Sequence, residues 1–220
     1  MISEDTFGVT KRNYNQGYDY KTILPLEKYK EADINTGIFQ RFVMSQGLCI
    51  ITKGLQEYEV KNNNLNITLL RSFGVISKKT LLTRTAAAGP PLPTPLGQML
   101  GKQTAEISLI LTDDVQEAFA QADFFYNPLI IIDGKSNKTK LKAKQFLKLP
   151  QSLYVYSSKI AENRQGSIVK IFNISDETQA FIIDRDIFET NLLEENLSNE
   201  NLRGKEISFK PNELKIFRIY

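Results

Sequence analysis

Short stretches in which apolar and polar residues alternate recur along this chain. Leu65, Ile67 and Leu69 flank Asn66 and Thr68, and the same period returns in Ile107-Ser108-Leu109-Ile110-Leu111. Ile168, Lys170, Phe172 and Ile174 stand against Val169, Ile171 and Asn173, and residues 206–209 and 213–220 close the chain in the same style. A period of two, filled by Ile, Val, Thr, Tyr and Phe, reads as half-buried strand. Turn chemistry separates these segments: Asn62-Asn63-Asn64, Asp133-Gly134, Asn163-Arg164-Gln165-Gly166 and Ser175-Asp176-Glu177. The pattern predicts an all-β protein built as an antiparallel sandwich.

One segment departs from it. From Asp113, the apolar residues Val115, Ala118, Phe119 and Ala122 are spaced as one face of a helix. Thr112 or Asp113 can cap it, Asp113 and Asp114 suit the positive end of its dipole, and Asn127-Pro128 ends it. The spacing predicts a single helix near residues 113–125, covering a sheet face or edge, or else meeting a partner.

Four prolines between Pro90 and Pro95 forbid regular structure in Ala86–Pro95. The segment reads as a linker, a peptide for an aromatic groove, or an ordered functional loop. Strand-like pattern before it, and Gly97, Met99 and Leu100 directly after it, argue against a plain linker. Lysines 135, 138, 140, 142, 144 and 148 predict a solvated or edge-guarding face. A composition shift near Pro150 predicts two parts, 1–150 and 151–220.

Composition narrows the chemistry. The 220 residues are enough to bury a real core. Lys and Arg number 28 against 25 Asp and Glu, and a net charge of +3 does not point to nucleic acid or a membrane surface. There is no His, which removes Ser-His-Asp triads, His bases and His-ligated zinc. There is no Trp to stack on a sugar. Cys49, the single cysteine, sits in the apolar run Leu48-Cys49-Ile50-Ile51 and reads as packing. A lone thiol and no secretory or membrane-spanning pattern predict the cytoplasm. Asp113-Asp114 reads as a helix start. Asp184-Arg185-Asp186 lacks the spaced oxygens of a calcium loop.

More specific motifs stand in order along the chain. They are Phe7-Gly8 with Lys11-Arg12, Gly47-Leu48, Lys53-Gly54-Leu55-Gln56-Glu57-Tyr58-Glu59-Val60 and Ile67-Thr68-Leu69-Leu70-Arg71-Ser72. The loop Ala88-Gly89-Pro90-Pro91-Leu92-Pro93-Thr94-Pro95 follows, then Phe125-Tyr126-Asn127-Pro128-Leu129, Asn191-Leu192-Leu193-Glu194-Glu195 and Glu213-Leu214-Lys215-Ile216. Nearly the whole chain thereby resembles the C-terminal β-region of glycoside hydrolase family 38, which contains α-mannosidases and bacterial mannosylglycerate hydrolases.

The resemblance implies a galactose mutarotase-like antiparallel β-supersandwich with one short helix over 1–150 and a small C-terminal β-sandwich over 151–220. It implies that the catalytic Asp and the zinc ligands belong to an N-terminal barrel region, so that this chain alone carries no catalytic residue and no metal or other cofactor. The chain is then expected to begin partway through the supersandwich. Arg84, and secondarily Arg71, match the place from which the family's β-region lends an arginine to the rim of the sugar site; a guanidinium fork suits sugar hydroxyls or a glycerate. A surface or intra-loop bond is the competing role for both. The expected partners are that catalytic barrel and a mannoside-type carbohydrate, with no nucleic acid and no membrane. A free-standing carbohydrate-binding or protein-interaction sandwich is the alternative. Missing strands would leave apolar edges and promote self-association, with Leu48–Ile51 and Leu129–Ile132 the uncharged candidates.

Overall fold

The computed structural model describes residues 1–14, 34–79, 81, 83, 84, 86–131 and 146–220. The chain divides into two compact units, Met1–Asp5 with Thr10–Asp113, and Thr6–Val9 with Asp114–Tyr220. This division falls at the start of the helix, earlier than the composition shift near Pro150.

The first unit contains β1 (Ile2–Asp5), half of the hairpin partner β2 (Gly8–Lys11), β3 (Thr36–Ile38), β4 (Phe42–Ser45), β5 (Leu48–Lys53), β6 (Glu57–Lys61), β7 (Asn64–Ile67) and β8 (Glu106–Leu111). They form a five-stranded sheet in the order β2-β1-β4-β5-β8 and a three-stranded sheet in the order β3-β6-β7. The pairs β1–β4, β4–β5, β5–β8, β3–β6 and β6–β7 are all antiparallel. Val43 and Ile50 from the wide sheet meet Tyr58 and Val60 from the narrow one, with Phe39 between the two in sequence, and all five are buried. Cys49 is fully buried in β5, as a packing residue should be. The β6–β7 turn is Asn62-Asn63, both with positive φ, the geometry a two-residue hairpin demands and Asn tolerates. Gly37 lies opposite Tyr58, and a Cβ there would fall 2.4 Å from the Tyr58 hydroxyl, so only glycine lets the ring cross the strand.

Glu4 is a charged residue that is almost wholly buried in this unit. Arg41 answers it: Nη2 donates to Oε1 at 2.7 Å, Nε to Oε2 at 2.8 Å, and the Arg41 backbone N–H to Oε2 at 3.1 Å. A buried carboxylate is tolerable only with such bonds.

The second unit opens with α1 (Val115–Tyr126). Ala118, Phe119 and Ala122 are its buried residues, three of the four on the predicted face. Asp114 is the cap, accepting from the Gln116 N–H at 2.8 Å, whereas Thr112 and Asp113, the two predicted caps, lie before it. Asp113 instead accepts the Gly47 N–H at 2.7 Å, within the first unit. The strands follow: β9 (Leu153–Ile160), β10 (Ser167–Asn173), β11 (Gln179–Ile182), β12 (Ile187–Thr190), β13 (Glu206–Phe209) and β14 (Leu214–Ile219). A sheet in the order β12-β14-β10-β9 stacks on the pair β11-β13, with Val169, Ile171, Phe181, Ile207, Phe209 and Phe217 among the core residues between them. Phe119 of α1 rests on Tyr154 of β9 with ring centroids 4.9 Å apart, and the Tyr154 hydroxyl donates to Asp123 at 2.6 Å. These contacts assign the helix to the strands after it. The fold is thus mostly antiparallel β with one α-helix among the described residues, as the alternation predicts.

The turn 191–195 is locked by charge. Arg218, itself buried, donates through Nη2 to the Glu194 carbonyl at 2.8 Å and through Nη1 to Asn163 and the Gln165 carbonyl. Lys159 Nζ lies 2.7 Å from Glu194 Oε1, and the Glu162 N–H donates to Oε2 at 2.9 Å. The Lys159 bond foremost, then the Glu162 N–H, hold the Glu194 carboxyl below its ordinary value. The Lys135–Lys148 face and Asp133-Gly134 lie outside the described residues, apart from Phe146, Leu147 and Lys148. Leu48–Ile51 proves to be in the interior strand β5, paired on both sides, rather than at an edge. Its period is obscured because both faces of β5 are covered.

Two measurements check these polar locks. Arg41→Met leaves the Glu4 carboxylate buried without its counter-charge and should cost about 3 kcal/mol in urea unfolding. The Glu194 carboxyl titrates lower in the folded than in the unfolded chain, so its stabilisation is complete above the ordinary value of 4.5 and is lost as the pH falls through the lower, folded value. Wild type should therefore exceed Glu194→Gln in urea midpoint at about pH 6, and the gap should close at about pH 2.

Candidate functional site

The segment after β7 carries the first candidate. Thr68 continues the β6–β7 pairing, donating its N–H to the Glu57 carbonyl at 3.0 Å. Its hydroxyl donates to Glu57 Oε1 at 2.8 Å, while Arg71 Nη1 reaches Glu57 Oε2 at 2.7 Å. The carboxylate is thus divided between a hydroxyl and a guanidinium. Together they line an open groove of about 360 Å³, joined by Gln56 and the apolar Ile38, Leu55 and Leu69. The Arg71 side chain is 70% exposed, so its remaining N–H donors face solvent and are available to a ligand. The ion pair itself is a surface pair and adds little stability.

Arg84 lies elsewhere. It is half-buried in the connection between β7 and β8, bridging to Leu81, and is not among the described lining residues of the groove. The structure therefore does not place the two arginines in one cavity.

The described arms of the connection form a ladder. Its arms run antiparallel: the Phe73 N–H donates to the Gly97 carbonyl, the Thr94 N–H to the Gly74 carbonyl and the Ile76 N–H to the Leu92 carbonyl, all at 2.9–3.1 Å. The Phe73 carbonyl also accepts from the Thr94 hydroxyl and the Gln98 amide. Proline has no N–H to lose, and Pro93 pairs with Val75 through an isolated bridge. A 3₁₀ turn at Pro95–Gln98 closes the ladder, ended by Met99 in the left-handed region. The proline-rich stretch is one arm of a folded loop, not a linker. Gly97 permits this: a Cβ there would stand 3.0 Å from both the carbonyl and the ring of Phe73.

Among the described lining residues of the groove, Glu57 is the one carboxylate. Glycosidic cleavage by the usual route needs two carboxyl groups flanking the bond. Asp113, Asp184 and Asp186 do not supply a second. Asp113 holds the Gly47 turn, and Asp184 and Asp186 face Arg203 and Asn201. Among the described residues no three His, Asp, Glu or Cys side chains come together as a group that could hold a metal ion. Glu57, the partner that orients Arg71, was missed in sequence because it lies on the neighbouring strand; the β6–β7 hairpin register was the signal that could have found it.

No protein-family model and no curated protein matches this sequence. Among solved structures, the chain aligns over its whole length with an α-mannosidase from Enterococcus faecalis V583, at a TM-score of 0.64 and 21% identity. It aligns equally fully with a protein in glycosyl hydrolase family 38 from Enterococcus faecalis, at a TM-score of 0.61 and 21% identity. In each case it spans 24% of that chain, about a quarter of its length. At this identity the likeness establishes the fold.

The loop account has a direct check. Gly97→Ala should loosen the ladder by overpacking against Phe73, at a cost of about 1–3 kcal/mol. Limited trypsin digestion at Lys78, Lys79 and Arg84 should then run roughly tenfold faster than in wild type, because local opening limits cleavage there.

Proposed function

We propose that this chain is the non-catalytic C-terminal β-region of an α-mannosidase-type hydrolase of glycoside hydrolase family 38, acting beside a catalytic barrel on another part of the enzyme. The observation that carries the reading is the full-length structural alignment to a quarter of a longer α-mannosidase chain. The ordered motifs, from Lys53–Val60 through the proline-rich arm to Glu213–Ile216, support it independently of the fold. In this reading the whole enzyme cleaves α-mannosidic bonds, mannosylglycerate among the candidates, in the cytoplasm. Zinc and the nucleophile belong to the barrel, and Arg84 and Arg71 border the sugar from the β side. Among the described residues no helix is long and apolar enough to cross a membrane.

The chain's own chemistry fits such a supporting role. Arg71 is oriented by Glu57 and keeps donors free for hydroxyls or a carboxylate. A second reading, a free-standing carbohydrate-binding or protein-interaction sandwich, draws on one observation: residues of this chain line the groove at Arg71.

Two assays separate them. The purified chain should release no nitrophenol from an aryl α-mannoside, with or without added zinc; zinc-dependent turnover would sink the proposal. Calorimetric titration with methyl α-mannoside should show no saturable binding to the chain alone. Saturable binding abolished by Arg71→Ala would establish the binding module instead.

A further inference from the structure

We propose that two copies of this chain associate through β8, strand against strand and antiparallel, about a two-fold axis that sets Leu109 opposite its own counterpart. β8 is the last strand of the five-stranded sheet and, among the described residues, pairs only with β5. Its outer row of backbone groups is open to another strand.

The side chains of β8 are as exposed as its backbone. Ile107, Leu109 and Leu111 share the face that carries Ile50 and Val43, since Leu109 pairs with Ile50 and Ile50 with Val43. Ile50 and Val43 are covered by the three-stranded sheet. The β8 residues are not: Ile107 is 42% exposed, Leu109 67% and Leu111 86%. The core face of the sheet therefore runs on past its cover as an apolar stripe.

The other sheet edges in the described residues are blunted in ways β8 is not. β2, β3, β7, β11, β12 and β13 have four residues or fewer. β9 is longer, but it carries Lys159 and its pairing with β10 is broken by a register shift at Lys170/Ile171. β8 has six residues, no proline and no lysine. Its single charge, Glu106, sits at its start and is taken by Lys53 at 3.0 Å.

The occupant follows from the sequence of the strand. Residues directly opposite in an antiparallel pair point to the same face, so two β8 strands can extend one continuous sheet only when odd residues meet odd residues. A pairing centred on Leu109 sets Ile107 opposite Leu111 twice and Leu109 opposite Leu109, so all three exposed residues find apolar partners. A pairing centred on Ser108 wastes Leu111 on Ala105. In the Leu109 register Glu106 faces Thr112, and no like charges oppose each other. The strand is thus complementary to itself, which is what a two-fold interface requires. The pairing does not depend on the role proposed for the arginines.

The test is light scattering on the full chain across a concentration series. Wild type should show a monomer–dimer equilibrium. Leu109→Lys places two ammonium groups face to face and removes the central leucine pair, and should weaken dimerisation about a hundredfold because each dimer carries the change twice. Leu109→Glu should do the same. Mixing the two variants should restore the dimer as a heterodimer, because Lys and Glu then meet across the axis. Leu109 is exposed, so both variants should keep the wild-type near-ultraviolet circular dichroism and urea midpoint; if either does not, Leu111→Lys, on a residue still more exposed, serves as the second disruptor. A wild-type chain that stays monomeric, or a dimer indifferent to these substitutions, overturns the proposal. Disruption without rescue on mixing overturns the Leu109-centred register.

Discussion

An antiparallel sheet with one apolar face has to lay that face on something else, and both units are shaped by this need. In each, a wider sheet is covered by a narrower one: five strands by three in the first unit and four by two in the second. The aromatic residues sit where the cover is complete, at Tyr58 against the Val43–Ile50 face and at Phe181, Phe209 and Phe217 in the second core. Where the cover stops, apolar side chains remain in solvent, and β8 is the clearest instance. The second unit handles its overhang differently: α1 brings Phe119 onto Tyr154, and the hairpin tip brings Gly8 onto Phe172, where a Cβ would come within 3.3 Å of the ring.

Polar groups inside this framework fix loops more than they hold the sheets. Asn173 is fully buried at the end of β10, its amide donating to the Glu177 and Lys210 carbonyls and its oxygen accepting from Ser175. One side chain thereby satisfies backbone groups of two separate turns. Arg218 does likewise for the 163–165 and 194 turns, and Glu4 with Arg41 ties β1 to the start of β4. Removing one member of such a set leaves the others buried and unpaired, which is why their deletion is costly although their net contribution is modest.

The elements legible in sequence were those with one buried face. The α1 stripe, the alternation of β13 and the Asn62-Asn63 turn each state a period or a backbone requirement within a few residues. β5 buries Cys49 and Ile51 on one face and Ile50 and Thr52 on the other, so its run reads as merely apolar. β9 is exposed over most of its length and has little period to show. The helix cap missed by one residue because two aspartates stand together, and the choice between them was made by the Gly47 N–H, sixty-six residues away in sequence. The same holds for the candidate site. Arg71 and Arg84 could be picked out as arginines beside a strand and a stiff loop, but that Arg71 lines the groove and Arg84 is not among its described lining residues is a matter of tertiary pairing that no local pattern carries.

Binding and cutting make different demands on the groove at Arg71. To bind a hydroxylated ligand, a surface needs oriented donors and acceptors beside an apolar wall; Glu57, Arg71, Thr68 and Leu69 meet that demand with one ion pair and one hydroxyl contact. To cut a glycosidic bond by the usual route, it needs a second carboxyl group across the bond and an enclosed position from which water is excluded. Glu57 has no such companion in the groove, and both of its oxygens already have donors. In the reading proposed above, the β framework carries a positioning group, Arg71, oriented by Glu57 and the β6–β7 hairpin, and chemistry at the bond comes from another part of the enzyme.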